Sequence, residues 1–175
     1  SRGVDATIYP SAISGLDADV VIDFLDIEAS RGPLFFRGGS LLLSDSIIVI
    51  PLTGDGLNVK QGSAETLRCT FTGNTSPDTD AIDYDGVING IIKDCPIYHF
   101  QGFNSDGIDP GKQCVNCLIE GNTIFYNSDK GISVGQGSTV ILRNNLIVGC
   151  AQGVGVKDAG STILIDQNTF VDCAE

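Results

Sequence analysis

The 175 residues carry 10 Lys and Arg against 22 Asp and Glu, a formal net charge of −12. That balance argues against a nucleic-acid or anionic-membrane partner, because phosphate binding draws on clustered lysine and arginine. With 42% hydrophobic residues, 18% charged residues and 22 glycines, the composition also excludes a disordered tail and a charge-rich coiled coil, and points to many turns.

Residues 1–33 are the least regular part, and Asp19-Val20-Val21-Ile22-Asp23-Phe24 reads as a first coil or as part of an N-terminal cap. The longest apolar run, Ile47 to Leu52, is strand-sized and far short of the ~18 residues of a membrane span. From here a unit recurs. Its first register is Gly54-Asp55-Gly56-Leu57-Asn58-Val59, Thr79-Asp80-Ala81-Ile82-Asp83-Tyr84, Ser105-Asp106-Gly107-Ile108-Asp109, Asp129-Lys130-Gly131-Ile132-Ser133-Val134 and Gln152-Gly153-Val154-Gly155-Val156. The small residue at 56, 81, 107, 131 and 153 steps by 25, 26, 24 and 22. A second register, Cys69, Cys95, Asn122, Asn145 and Asn168, steps by 26, 27, 23 and 23, and Asp45-Ser46-Ile47 fits one step earlier with Asp45 in the column. A third is Gly-Ser at 39–40, 62–63, 137–138 and 160–161.

Within each unit short apolar alternations such as Leu57/Val59 and Ile132/Val134 are broken by Gly, Asn and Asp, and no segment has a helical apolar stripe. These patterns predict an all-β fold, a single-stranded parallel β-helix of roughly seven coils with strands ~4.8 Å apart. Residues 1–175 form one domain on this reading, and the arrested last coil, Val171 to Glu175, together with a start at Ser1, leads to the expectation of a piece of a longer solenoid. Exposed coil ends predict self-association. The cysteines at 69, 95, 150 and 173 fall in small inward columns and are expected as buried free thiols, whereas Cys114-Val115-Asn116-Cys117 lies in a local insertion.

Alternation also predicts the outer face. With Leu57 and Val59 inward, the outward columns are Asn58, Asp83, Asp109, Ser133, Gly155 and then Lys60, Asp85, Gly111, Gly135, Lys157, with Asp55, Asp80, Asp106 and Lys130 in the turn before. Aspartates so close repel unless a cation neutralises them, and hard oxygen donors suit Ca²⁺. Asp80, Asp83, Asp85, Asp106 and Asp109 should therefore cluster on neighbouring coils, where they either hold a cation or form a solvated acidic face.

This repeat, from about Leu34 to Glu175, resembles the right-handed β-helices of the pectate-lyase-like superfamily, including repeat domains of bacterial surface and secreted proteins. The resemblance implies an extracellular or cell-surface setting and a polysaccharide partner. Asn104-Ser105-Asp106-Gly107-Ile108-Asp109 is similar to the N-T-D-G-x-D segment of pectin-cleaving hydrolases. The paired aspartate of the next coil is replaced by Asp129-Lys130, however, so a hydrolase is not expected. In calcium-dependent polysaccharide lyases of the same fold, an aspartate cluster on consecutive coils holds Ca²⁺. Asp80, Asp83, Asp106 and Asp109 match it in spacing and are the candidate metal ligands that the resemblance implies. In those enzymes a lysine or arginine near the ion removes the C5 proton of a uronate. That likeness makes Lys130 the first candidate base and Lys157 the second. The leading expectation is a module that contacts carbohydrate through an acidic, calcium-binding face. The alternatives are an active uronate lyase and a structural or self-assembling solenoid.

Overall fold

The computed structural model describes residues 13–28, 32 and 34–174. Within them 21 short strands wind through three parallel sheets of seven strands each. The first sheet holds Ile13–Leu16, Leu34–Arg37, Leu57–Lys60, Ile82–Asp85, Ile108–Gly111, Lys130–Val134 and Gln152–Val156. The second holds Asp19–Asp23, Ser40–Ser44, Ser63–Leu67, Ile91–Lys93, Cys117–Glu120, Thr139–Arg143 and Thr162–Asp166. The third holds Asp26–Glu28, Ile47–Val49, Thr70–Thr72, Pro96–Tyr98, Thr123–Phe125, Leu146–Val148 and Thr169–Val171. One strand from each sheet makes a coil, and the predicted seven coils are present. The irregular N-terminal region supplies coil 1 through residues 13–28; residues 1–12, 29–31 and 33 lie outside the described residues.

The register is the one that the small-residue motif implies. Leu57, Ile82 and Ile108 pair in line, Ile108 pairs with Ile132, and Ile132 with Val154. Leu57, Ile82, Ile108 and Ile132 are fully buried, and each contributes roughly 1.5–3 kcal/mol of transfer free energy. The small residue ahead of them is required sterically. A Cβ on Gly107 would stand 2.5 Å from the Gly131 carbonyl oxygen, and one on Gly131 would stand 2.8 Å from that of Gly153.

Between the second and third sheets the chain turns on one residue of left-handed conformation in coils 2–7. Asp45, Arg68, Asp94, Gly121, Asn144 and Gln167 have φ between 49° and 69°. The next residue points inward and forms the second column. Pairing of Ile47 with Thr70 puts Ser46 in that column, so the expectation of Asp45 there is off by one. Asp45 occupies the left-handed position instead, where its carboxylate accepts from Arg68 Nε at 2.7 Å. In coils 5–7 the column is an amide ladder. Asn145 Oδ1 takes the Asn122 backbone N–H at 2.9 Å, and Asn168 Oδ1 takes that of Asn145 at 2.9 Å. Cys69 and Cys95 continue the column as buried thiols. All six cysteines are free.

The inward side chains of coil 7 are more open than those they pair with. Ile165 pairs with buried Leu142 yet is 48% exposed, and Phe170 pairs with buried Ile147 yet is 43% exposed.

Candidate functional site: the outer face of the first sheet

At the corner leading into the first sheet, aspartates stack coil on coil. Asp55 Oδ1 accepts the backbone N–H of Asp80 at 3.0 Å, Asp80 Oδ1 that of Asp106 at 2.7 Å, and Asp106 Oδ1 that of Lys130 at 2.8 Å. These carboxylates satisfy turn donors that would otherwise be buried unpaired. Burial, followed by the Asp55 charge, pushes the Asp80 carboxyl well above the ordinary carboxylate range. Burial raises Asp106 as well, although the Lys130 N–H and ammonium pull the other way.

The outward columns fall as predicted, with Asn58, Asp83 and Asp109 in line and Lys60, Asp85 and Gly111 in line. Asn58 Nδ2 donates to Asp55 Oδ2 and to Asp83 Oδ2, both at 2.7 Å. Lys60 Nζ donates to Asp83 Oδ2 at 2.7 Å and is also bound to Asp85. Burial lifts Asp83 to about 6 in spite of Lys60. Asp109 makes no ion pair or side-chain hydrogen bond among the described residues. Burial raises it to about 7, with Lys157 opposing and Asp106, Asp83 and Asp85 adding to the rise.

Asp80, Asp83, Asp106 and Asp109 thus share one face, as expected, but they are not gathered round one centre. Asp80 and Asp106 each spend an oxygen on the next coil, and Asp83 is held by Lys60. Among the described residues, no three His, Cys, Asp or Glu side chains converge in a metal-holding geometry. The candidate bases lie on the same face in coils 6 and 7. Lys130 is bound to Asp129, and its Nζ lies 3.7 Å from Asp106 Oδ1. Burial acts to lower its pKa, but these carboxylates prevail and raise it, the opposite of what a lysine base needs. Its stem covers Gly155, where a Cβ would meet Lys130 Cδ at 2.5 Å. Lys157 is exposed at the end of the face.

A second feature of this face was not expected from the sequence. Phe35, Arg37, Lys60, Gln61, Asp85, Gly86 and Lys112 line an open groove of about 300 Å³. Phe35 stands in line with Asn58, and Arg37 with Lys60. The groove collects three of the chain's 10 basic residues around one carboxylate, that of Asp85, which is bound to both Lys60 and Lys112. The Arg37 guanidinium has no ion pair or side-chain hydrogen bond among the described residues, and the Phe35 ring is 40% exposed.

Other polar, aromatic and thiol side chains of the coils are placed as follows. Tyr84 is buried, with its hydroxyl 2.7 Å from Thr66 Oγ1. Cys114 and Cys117 are buried and unbridged, and the Cys114 thiol points at the Tyr84 carbonyl oxygen 3.0 Å away. Phe100 is buried, whereas His99 is exposed in a left-handed conformation beside Tyr126. In the Asn74-Thr75-Ser76 sequon both ends of the Asn74 amide are engaged, by the Ile50 carbonyl and the Ser76 N–H.

Three stacked parallel sheets joined by repeated corners define a parallel β-solenoid. Residues 27–175 match the family described as a right handed beta helix region, and the chain belongs to that family. Comparison with curated proteins and with solved structures gave no match.

Proposed function

We propose that this chain is a binding domain for an anionic polysaccharide and that the ligand seats in the groove of Phe35, Arg37, Lys60 and Lys112. The observation that carries the reading is the gathering of those cations on one open face of a chain whose net charge is −12. Arg37 offers a planar donor fork suited to a carboxylate or sulfate, and Lys60 and Lys112 add point charges. Phe35 supplies an apolar ring for the face of a sugar. An extracellular or surface setting, where such polymers occur, goes with this reading.

A catalytic role is less well supported, because Lys130 is tied to two carboxylates. A self-assembling solenoid has one observation in its favour, the exposed inward side chains Ile165 and Phe170 in coil 7.

Calorimetry with oligogalacturonate, with a sulfated dextran oligomer and with a neutral dextran of equal length tests the proposal. The anionic probes should bind and the neutral one should not. Arg37→Ala and Lys112→Ala should each weaken binding about three- to tenfold. Absence of binding by both anionic probes would end the reading. Appearance of unsaturated product absorbance from oligogalacturonate would replace it with the lyase.

A further inference from the structure

Two of the three cations that would recognise an anion in this groove, Lys60 and Lys112, are already occupied by the protein's own carboxylates. Asp85, 7% exposed, sits between Lys60 and Lys112 and is bound to both. Asp83 holds Lys60 a second time, at 2.7 Å. Arg37, the third cation, has no such partner among the described residues. Gly111 helps to set Asp85 in place, since a Cβ there would stand 3.1 Å from Asp85 Oδ1. An incoming carboxylate or sulfate must therefore share or displace the contacts that Asp83 and Asp85 make.

We infer that Asp83 and Asp85 are internal competitors for the groove's lysines, so that removing their charge by substitution strengthens the binding of anions. This inference rests on the groove being the binding site proposed above.

Charged groups around the pair set the size of the effect. Asp83 faces Lys60, Asp55 and Asp85, and Asp109 lies in line with it one coil on. Among the described residues, with either aspartate neutral Lys60 keeps one carboxylate partner, and with Asp85 neutral Lys112 keeps none.

The probe is a sulfated dextran oligomer, measured by calorimetry at constant ionic strength and about pH 7.5. Asp85→Asn, which takes a partner from both Lys60 and Lys112, should bind it roughly three- to tenfold more tightly than wild type, and Asp83→Asn should gain less. Asp166→Asn, exposed on the second sheet, makes the same change in net charge and should behave as wild type. If both groove variants keep the wild-type affinity, or if Asp166→Asn gains as much as they do, the competitor role is wrong while the binding site stands. If no protein binds the probe, the site itself is wrong and the competitor role falls with it. Two variants at separate positions decide the matter even should one fail to fold.

Discussion

Asn145 Oδ1 accepts two hydrogen bonds from Asn122 on the coil before it, from the backbone N–H at 2.9 Å and from the side-chain amide at 3.0 Å. Asn145 Nδ2 in turn donates to the Ile119 carbonyl at 2.9 Å and to Asn168 Oδ1 at 2.8 Å. One buried side chain thereby satisfies groups on the coils before and after its own. Asn145→Ala strands these partners and should cost about 2–4 kcal/mol in urea unfolding. Asn145→Cys should cost less, because Cys69 and Cys95 already serve in that column. Equal losses for the two variants would mean that a thiol cannot take over the amide's hydrogen bonds at this position.

Gly107→Ala brings a methyl group to 2.5 Å from the Gly131 carbonyl oxygen and 2.7 Å from Asn127 Nδ2. Neither neighbour can retreat without shifting a coil, so a loss of about 1–3 kcal/mol is expected in the same measurement. A variant as stable as wild type would show that the stack yields more readily than the spacing implies.

The pH dependence of stability follows from Asp83 and Asp109. Both carboxyls titrate higher in the folded chain, at about 6 and about 7, than the ordinary 3.8, so folding takes up protons between those values. Their contribution is complete below about pH 4 and is lost as the pH rises through 6 and 7. Asp109→Asn removes a buried charge that has no hydrogen-bonded partner. It should add ~1–3 kcal/mol at about pH 7.5 and almost nothing at about pH 4. A destabilised variant at the higher pH would show that the carboxylate is paired in solution.

Calcium offers a separate check on the face. Binding would require the ion to take Asp83 from Lys60 and to share Asp80 and Asp106 with the backbone. Thermal melting in ~1 mM CaCl₂ and in chelator should therefore agree to within about 2 °C. A larger rise that chelator reverses would show that the aspartates rearrange into a calcium site.

Much of the fold was legible because a solenoid writes its register into the spacing of small residues. Gly56, Ala81 and Gly107 predicted the pairing of Leu57, Ile82 and Ile108 without error. Ser46 and Asp45 were exchanged because both are small and polar, and only the backbone conformation distinguishes the turning residue from the inward one. The acidic face was legible as a face, but not in its chemistry. Spacing brings Asp80 over Asp55 yet does not reveal that Asp55 Oδ1 binds the N–H above it. The groove was missed because the column was read from Asn58 and Lys60 onward. One coil earlier, Leu34-Phe35-Phe36-Arg37 shows the same alternation, with Phe35 and Arg37 outward. Lys112 could not be found in this way, because it follows the strand Ile108–Gly111 in an irregular corner.

Coil 7 yields a prediction about assembly. Ile165 and Phe170 give this chain an exposed apolar surface on coil 7. Light scattering should show mass rising with concentration, through a closed head-to-head dimer or an open head-to-tail filament. Phe170→Asp should suppress the rise. A monomer at every concentration, in high salt as well, would show that the end is adequately protected.

The two side-chain ladders run in opposite senses. Asp106 N–H in coil 5 reaches back to Asp80 in coil 4, while Asn122 N–H in the same coil reaches forward to Asn145 in coil 6. Coil 5 also accepts from both neighbours, through Asn122 Oδ1 from the Cys95 N–H and through Asp106 Oδ1 from the Lys130 N–H. A solenoid fastened only by its sheets is free to unzip coil by coil from either end. Here coils 4, 5 and 6 are clasped to one another by both ladders, so neither seam between them can open without uncovering a donor and an acceptor. Their amides should exchange with solvent only when coils 4 to 6 open together, as a single cooperative block inside an otherwise modular rod.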